Sequence, residues 1–326
     1  MKLLNLPSLI QHEVYKNLSP TEMITFSMAS QRILDSMKQF KWDVTTVLMK
    51  FCKDRFEIQF PMKKPTKYNR RFEEVIKFYK KRGSYVLCMS RPMYPFNRVF
   101  KIPVPMEMHN IIFNVFSRSA EFKLKVHFHG IDSYSPIPNV RVASISDQSI
   151  PIIDEFIKSN PELEALELKY GSIELSPSSP MFRLKSLRIS YYKKAPFTEY
   201  MRHFKGRDAI FWYTDNSSIS IIEFLEKWVK GEYSEYLEFV CCKGFRDQAV
   251  PNDLLHLFRN HLKPWNETGM PRFYRFGSEL HSNLGIKPEY YDFQDGLYIK
   301  RAVDGQVASL KLDPRFISFR ILKTDN

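Results

Sequence analysis

The sequence predicts a mixed chain, α+β in outline and α/β in its body: three short N-terminal helices, then a repeated strand–helix domain that ends in β-strands. Three observations carry this. Apolar residues recur four apart from Leu6 to Leu18 and run into a Ser-Pro-Thr-Glu helix start. The pattern L-x-x-L-x-L occurs at Leu163–Leu168 and again at Leu184–Ile189, 21 residues on, with amphipathic segments around it. From Leu297 onward, strand-forming runs flank an Asp-Gly pair.

The N-terminal helices come first. Leu6, Ile10, Val14 and Leu18 fall on one helical stripe, with Gln11, His12, Glu13 and Lys16 around the rest. Ser19 can accept from the free backbone N–H groups of a following helix, Pro20 suits its first position, and Glu22 completes a capping box. Met23, Ile24, Phe26 and Ser27 continue that helix. Ala29-Ser30 breaks it, and Arg32 to Lys38 forms a third with Ile33, Leu34 and Met37. Three helices in so few residues bury little apolar surface alone. Either a partner covers the remainder, or the helices cap the rest of the same chain.

The string LPSLIQHEVYKNLSPTEMITFSMASQRILDSM resembles the F-box. The likeness lies in the Leu-Pro start, the helically spaced apolar positions, the Ser-Pro turn and the later small-residue, Ser and Arg sequence. In that family the first helices dock onto the Skp adaptor of SCF-type ubiquitin ligases. The resemblance implies Leu6, Pro7, Ile10, Val14, Leu18, Met23 and Phe26 as adaptor contacts. One position departs: many F-boxes carry an acidic residue two after the proline, where this chain has Leu9.

Beyond residue 41, Trp42, Val44, Val47, Leu48 and Phe51 suggest a further helix. Nine Lys or Arg residues lie between Pro61 and Arg82 against Glu73 and Glu74. They read as a solvated helix face with Phe72, Val75, Ile76 and Tyr79 turned inward; the alternative is an import signal or a phosphate-contacting patch. Prolines at 92, 95, 103 and 105 mark an extended connection. Phe122, Leu124, Val126 and Phe128 then alternate with polar neighbours as a half-buried strand.

Each L-x-x-L-x-L copy reads as one strand of a leucine-rich-repeat-like stack. Val142 with Ile145 stands 21 residues before the first copy, although Asp147 fills its third apolar slot. Ile210 with Trp212, and Tyr236 with Phe239, are looser copies. Helices fit between: Ile152, Ile153, Phe156 and Ile157 up to Asn160-Pro161; Phe197, Tyr200, Met201 and Phe204; and Ile221, Ile222, Phe224, Leu225, Trp228 and Val229, stopped by Gly231. Ser176 to Pro180 is an exposed loop. At the end, Leu297–Val303 and Val307–Leu312 form a hairpin about Asp304-Gly305, with Arg315–Leu322 as a third strand.

The stretch from Ile219 through LEKWVKGEYSEYLEFV, with DGLYIKRAVDG further on, resembles the type-2 F-box-associated domain. That domain follows an N-terminal F-box and is thought to select the ligase's target. The expected division is then 1–42 for the F-box, 43–109 for a helical, basic linker region, and 110–326 for the target-binding domain. Outward strand positions beside the buried leucines, Glu167, Lys169, Arg188 and Ser190, are the candidates for holding the target.

Composition bounds the rest. The chain has 326 residues, 44% hydrophobic and 15% aromatic, which excludes a disordered chain and leaves room for two folded units. The net charge of +13 draws polyanions, or belongs to a lysine-rich surface. Cys52, Cys88, Cys241 and Cys242 form neither a CxxC clip nor a disulfide framework. Met1–Gln11 lacks a signal-peptide core and no stretch suggests a membrane span, so the expectation is an intracellular protein, cytoplasmic or nuclear or both, with no membrane partner.

No GxGxxG, P-loop, HExxH or GxSxG string occurs. His127 and His129 share a strand face without a ligand-spaced third residue, and His256 and His261 are not stacked at i and i+4. The expectation is a non-enzymatic chain without cofactor or metal. Its implied partners are a Skp-type adaptor, through it a cullin scaffold, and an unknown target protein. A basic nucleic-acid-binding protein is the competing class, though no RNP-like string supports it. An F-box scaffold acting outside degradation is a third.

Overall fold

The computed structural model describes residues 3–42, 44, 46–52, 55–60, 74–81, 84–89, 99–100, 104–116, 123–129, 140–146, 150–171, 176–192, 197–212, 218–233, 235–243, 256, 262–264, 273–275, 290–292, 296–313 and 316–322. They form a mixed α/β structure with three helices at the N-terminus. The chain divides into two compact units, Met1–Arg141 and Val142–Asn326.

In the first unit a 3-10 turn, Leu3–Asn5, precedes α1 (Ser8–Lys16), α2 (Pro20–Ala29) and α3 (Gln31–Met37). The capping box forms as its residues require: the Glu22 amide donates to Ser19 Oγ at 3.3 Å, and the Ser19 amide donates to Glu22 Oε2 at 2.8 Å. Ser30, in extended conformation (φ −161°, ψ 137°), ends α2 and starts α3.

The segment after Lys41 is β, not helical. β1 (Thr46–Cys52), β2 (Arg55–Phe60), β3 (Glu74–Lys81), β4 (Ser84–Met89) and β5 (Val99–Phe100) make an antiparallel run, and β6 (Lys123–His129) pairs in parallel with β1. Val47 and Met49 are fully buried, as are Ile76 and Phe78, so burial follows a period of two. Val44, Val47, Leu48 and Phe51 also satisfy helical spacing, so spacing alone does not separate the two periods. Tyr79, expected inside a helix face, is exposed. Phe72 and most of the basic cluster lie outside the described residues.

A helix α4 (Val104–Phe116) stands where an extended connection was expected. Pro105 is tolerated because the first-turn amides of a helix lack intrahelical acceptors. Met108, Ile112, Val115 and Phe116 are buried, and α4 packs on α2 and α3. Because β6 pairs with β1, the first unit runs past residue 110 to Arg141.

The second unit carries β7 (Val140–Ser146), α5 (Ile150–Ser159), β8 (Ala165–Gly171), a 3-10 turn (Pro180–Arg183), β9 (Ser186–Tyr192), α6 (Phe197–His203), β10 (Asp208–Trp212), α7 (Ser218–Val229) and β11 (Phe239–Lys243). β7 to β11 are parallel neighbours in chain order. After short strands β12 (Leu262–Pro264), β13 (Phe273–Arg275) and β14 (Tyr290–Asp292), the sheet continues antiparallel through β15 (Leu297–Lys300), β16 (Val307–Asp313) and β17 (Phe316–Leu322), with β17 against β11.

Register corrects the repeat offset. Ala165 pairs with Ser186, 21 residues on, but Val142 pairs with Ala165, 23 residues on. Ile145 therefore faces Leu168, and the misfit of Asp147 in a leucine slot disappears. The shift is two residues, so every side chain keeps its face.

One face of this sheet is apolar. Ala143, Leu166, Leu187, Ala209, Val240 and Phe319 form one buried row, and Ile145, Leu168, Ile189, Phe211, Cys242 and Ile317 the next. Helix α6 meets it through Phe197 and Tyr200, each 5.7 Å from Phe211 between ring centroids. Helix α7 meets it through Phe224 and Trp228, at 5.2 and 5.0 Å from Phe319. Tyr200 is pushed up to about 12 by its burial. Gly231, at φ 77°, closes α7: its amide donates to the Trp228 carbonyl at 2.9 Å, and the Glu232 amide reaches the Lys227 carbonyl at 3.0 Å.

The C-terminal hairpin turns more widely than Asp-Gly alone predicts. The Arg301 amide donates to the Gln306 carbonyl at 2.8 Å, leaving a four-residue loop in which Gly305 takes φ 74°. The Arg301 guanidinium grips the Asp304 carboxylate inside that loop. This ion pair, absent from two-residue turns, fixes the longer loop.

Candidate functional site

Two surfaces bear on function, one in each unit. In the first, Tyr15 anchors α1: it is fully buried, and its hydroxyl lies 3.3 Å from Ser36 Oγ, which donates to Gln11 Oε1 at 2.5 Å. The Phe40 and Trp42 rings lie beside it, and His12 stacks on Phe40 at 4.6 Å. The Trp42 indole N–H donates to the Met37 carbonyl at 3.2 Å. Met23, Ile24, Leu34 and Met37 are also buried, on helices α2 and α3, which pack on each other and on α4.

That anchoring leaves other apolar residues in solvent. Leu9 is 72% exposed, Ile10 47% and Phe26 39%. Ile10 and Leu9 precede Tyr15 by five and six residues, about 140° and 120° around the helix, so burying Tyr15 turns both away from α3. Of the seven sequence-predicted adaptor residues, Pro7, Ile10 and Phe26 are exposed, while Leu6, Val14 and Leu18 are half-buried. Met23 is corrected: at 3% exposure it belongs to the internal core, because α2 turns it inward with Ile24 and Ser27. Leu9, noted in the sequence only as a departure, is the most exposed apolar side chain of α1.

In the second unit the sheet face away from the leucines is polar along β7 to β9 and apolar further on, where Ile210, Phe239, Cys241 and Leu322 form a buried cluster with Trp212 and Phe316 packed against it. One row runs Ser144, Glu167, Arg188, Ile210, Cys241 and Ser318; the next runs Ser146, Lys169, Ser190, Trp212, Lys243 and Phe316. Glu167, Lys169, Arg188 and Ser190 do share this face, as alternation predicts. Their exposure is corrected: Glu167 is 4% exposed, Arg188 7% and Ser190 1%. The reason lies in their mutual packing.

Glu167 Oε2 accepts from Ser144 Oγ and Lys169 Nζ, both at 2.9 Å, and Arg188 reaches Oε1 at 3.0 Å. This last approach is an ion contact without hydrogen-bond alignment. The Arg188 guanidinium carbon sits 3.6 Å from the centroid of the Trp212 ring. Lys243 Nζ lies 5.1 Å from that ring and 5.6 Å from Phe316. In the adjoining row Ser186 Oγ donates to Asp208 Oδ2 at 2.8 Å, and Arg207 pairs with the same oxygen. Parallel pairing in register is what assembles these residues. Sequence spacing alone does not show Trp212 beside Arg188.

Among the described residues no group of three His, Cys, Asp or Glu side chains could hold a metal ion, and no helix is long and apolar enough to cross a membrane. The side chains of His127 and His129, and all of His261, lie outside the described residues. Comparison with protein-family models, curated proteins and solved structures found no match.

Proposed function

We propose that this chain is a non-catalytic substrate receptor of an SCF-type ubiquitin ligase. Its N-terminal helices act as an F-box that docks a Skp-type adaptor, and through it a cullin scaffold. The second unit, a leucine-rich-repeat-like F-box-associated domain, holds an unknown target protein. Cytoplasm or nucleus, or both, is the expected site of action.

One observation supports this most. Leu9, Ile10 and Phe26 remain exposed on α1 and α2, although Tyr15, Met23 and Ile24 of the same helices are buried and α2 already packs on α3, α4 and β3. Large apolar side chains left in water cost free energy roughly in proportion to their area, about 25 cal/mol per Å². An apolar partner surface recovers that energy, and Pro7 with the half-buried Leu6, Val14 and Leu18 extends the contact. The parallel strands β7 to β11, joined in turn through α5, a 3-10 turn, α6 and α7, support the repeat reading of the second unit.

Catalysis in this reading comes from placement. The adaptor end fixes a ubiquitin-loaded enzyme near the target end, which raises the effective concentration of a target lysine at the thioester. The test is adaptor pull-down with Leu6→Ala, Pro7→Ala and Ile10→Ala combined. Loss of the adaptor with both units still folded is expected; retained binding would end the reading.

A further inference from the structure

Four Ser-Pro pairs occur in the chain, beginning at Ser19, Ser135, Ser176 and Ser179. A serine followed by proline is the acceptor string of a large class of serine/threonine kinases, so each pair is a candidate for modification. The fold treats them differently. Ser135 lies outside the described residues. Ser19 caps α2: its hydroxyl accepts from the Glu22 amide at 3.3 Å, and Pro20 is already the first helical residue. Ser179 is 3% exposed, and its hydroxyl donates to Asp154 Oδ1 at 2.5 Å while accepting from the Met181 amide at 3.5 Å. Among the described residues, Ser176 is the one whose hydroxyl is held by neither a helix cap nor a buried contact.

The loop expected to be exposed along its length therefore divides. Ser176, Pro177 and Ser178 are exposed, whereas Ser179, Met181 and Phe182 are buried where the 3-10 turn packs on α5. The Ser176 hydroxyl meets Ser178 in solvent: the two hydroxyl oxygens are 2.8 Å apart, and the Ser178 amide donates to Ser176 Oγ at 3.3 Å. A kinase cleft that opens these local bonds disturbs no core contact. Pro177 biases Ser176 towards extended backbone, the form in which a kinase takes its acceptor. After transfer, the Ser178 amide and hydroxyl stand as donors beside the new phosphate oxygens. The turn itself is kept by the Ser179 amide, which donates to the Ser176 carbonyl at 2.9 Å without using the hydroxyl.

We infer that Ser176 is a phosphorylation site for a proline-directed serine/threonine kinase, and that Ser179 is closed to the same kinase while the chain is folded. The kinase moves the γ-phosphoryl group of ATP onto Ser176 Oγ. The new P–O bond forms there, the bond to the β-phosphate oxygen breaks, ADP leaves with that electron pair, and the hydroxyl proton passes to a carboxylate base of the kinase. The product places about −2 charge on an exposed loop of the second unit. The inference does not depend on the receptor reading.

The test treats the full folded chain with a purified proline-directed kinase and magnesium ATP, and maps the phosphate by mass spectrometry of its peptides. A synthetic peptide of residues 172–183, which has no fold to shield either serine, is treated alongside. Ser176 should be labelled in the folded chain at a rate near that of the peptide. Ser179 should be labelled about tenfold or more slowly in the chain than in the peptide, the scale of one charge-assisted hydrogen bond that must first open. Ser176→Glu should leave the melting temperature unchanged. Ser179→Glu should lower it, because it drives a second carboxylate against Asp154 in a buried position.

An unlabelled Ser176 in the folded chain overturns the inference, whether or not the peptide is labelled there. Equal rates at Ser179 in chain and peptide overturn it too, since burial would then protect nothing. So does a Ser176→Glu chain that melts as far below wild type as Ser179→Glu, which would make the Ser176 hydroxyl part of the packing.

Discussion

Arg188 lies flat on Trp212, its guanidinium carbon 3.6 Å from the ring centroid, while one of its nitrogens reaches the buried carboxylate of Glu167. A charge in such a position is tolerable only with its counter-charge present. Removing one partner of a buried pair typically costs about 3–5 kcal/mol, whereas replacing both by apolar residues of like volume is often nearly neutral. Glu167→Leu is therefore expected to destabilise the second unit strongly. Glu167→Leu combined with Arg188→Met should restore most of the loss. Urea unfolding followed by tryptophan fluorescence measures both.

The approach of two loops depends on Gly206. A methyl group there would stand 1.9 Å from the Leu184 carbonyl oxygen and 2.5 Å from the Phe204 ring. The flanking amides cannot move away freely, because Lys205 donates to the Phe182 carbonyl at 2.7 Å and Arg207 to the Lys185 carbonyl at 2.8 Å. Gly206→Ala should cost about 1–3 kcal/mol, the usual scale for forced overpacking. Gly206→Ala with unchanged melting temperature would show that this contact yields.

The wide turn at 301–306 predicts a pH dependence. The Arg301 guanidinium beside Asp304 holds that carboxyl down at about 2, with the Gln306 amide assisting. A carboxyl depressed on folding stabilises the native state above its ordinary value near pH 4, and the contribution fades as pH falls toward about 2. Asp304 is 44% exposed at its side chain, so the gain at neutral pH is below about 1 kcal/mol. Denaturation of wild type and Asp304→Asn over pH 2 to 7 should show a difference that closes in acid.

Tyr15 sets the geometry of the first unit. Its loss to Ala should cost about 3–5 kcal/mol by cavity formation, and Tyr15→Phe only about 1 kcal/mol through the hydroxyl contact with Ser36. Circular dichroism during denaturation separates the two variants.

The parts legible in the sequence are those where one periodicity applies. Phe156, Tyr200, Phe204, Leu225 and Trp228 were placed on the inner faces of their helices because all lie on a single stripe, and all are buried. Leu166, Leu168, Leu187 and Ile189 were placed on one strand face for the same reason. The segment around Val47 and Phe51 misled because its apolar residues fit both periods, and only pairing with β2 and β6 decides between them. Alternation places Glu167, Lys169, Arg188 and Ser190 on one strand face, but not the burial of Glu167, Arg188 and Ser190 there. Exposure there depends on Trp212, which reaches Arg188 only once β9 and β10 lie in register.

The exposed side chains of α1 and α2 carry the central claim. They can be changed without entering the core, since Leu9, Ile10 and Phe26 all face solvent while Tyr15 and Met23 hold the fold. The direct measurement is calorimetric titration of a Skp-type adaptor into wild type and into the Leu9→Asp, Ile10→Asp, Phe26→Asp triple variant, at low and at physiological salt. Saturable wild-type binding that barely responds to salt and vanishes in a variant with unchanged melting temperature is the predicted result. Equal adaptor affinity in the folded variant, or none in wild type, would contradict the account.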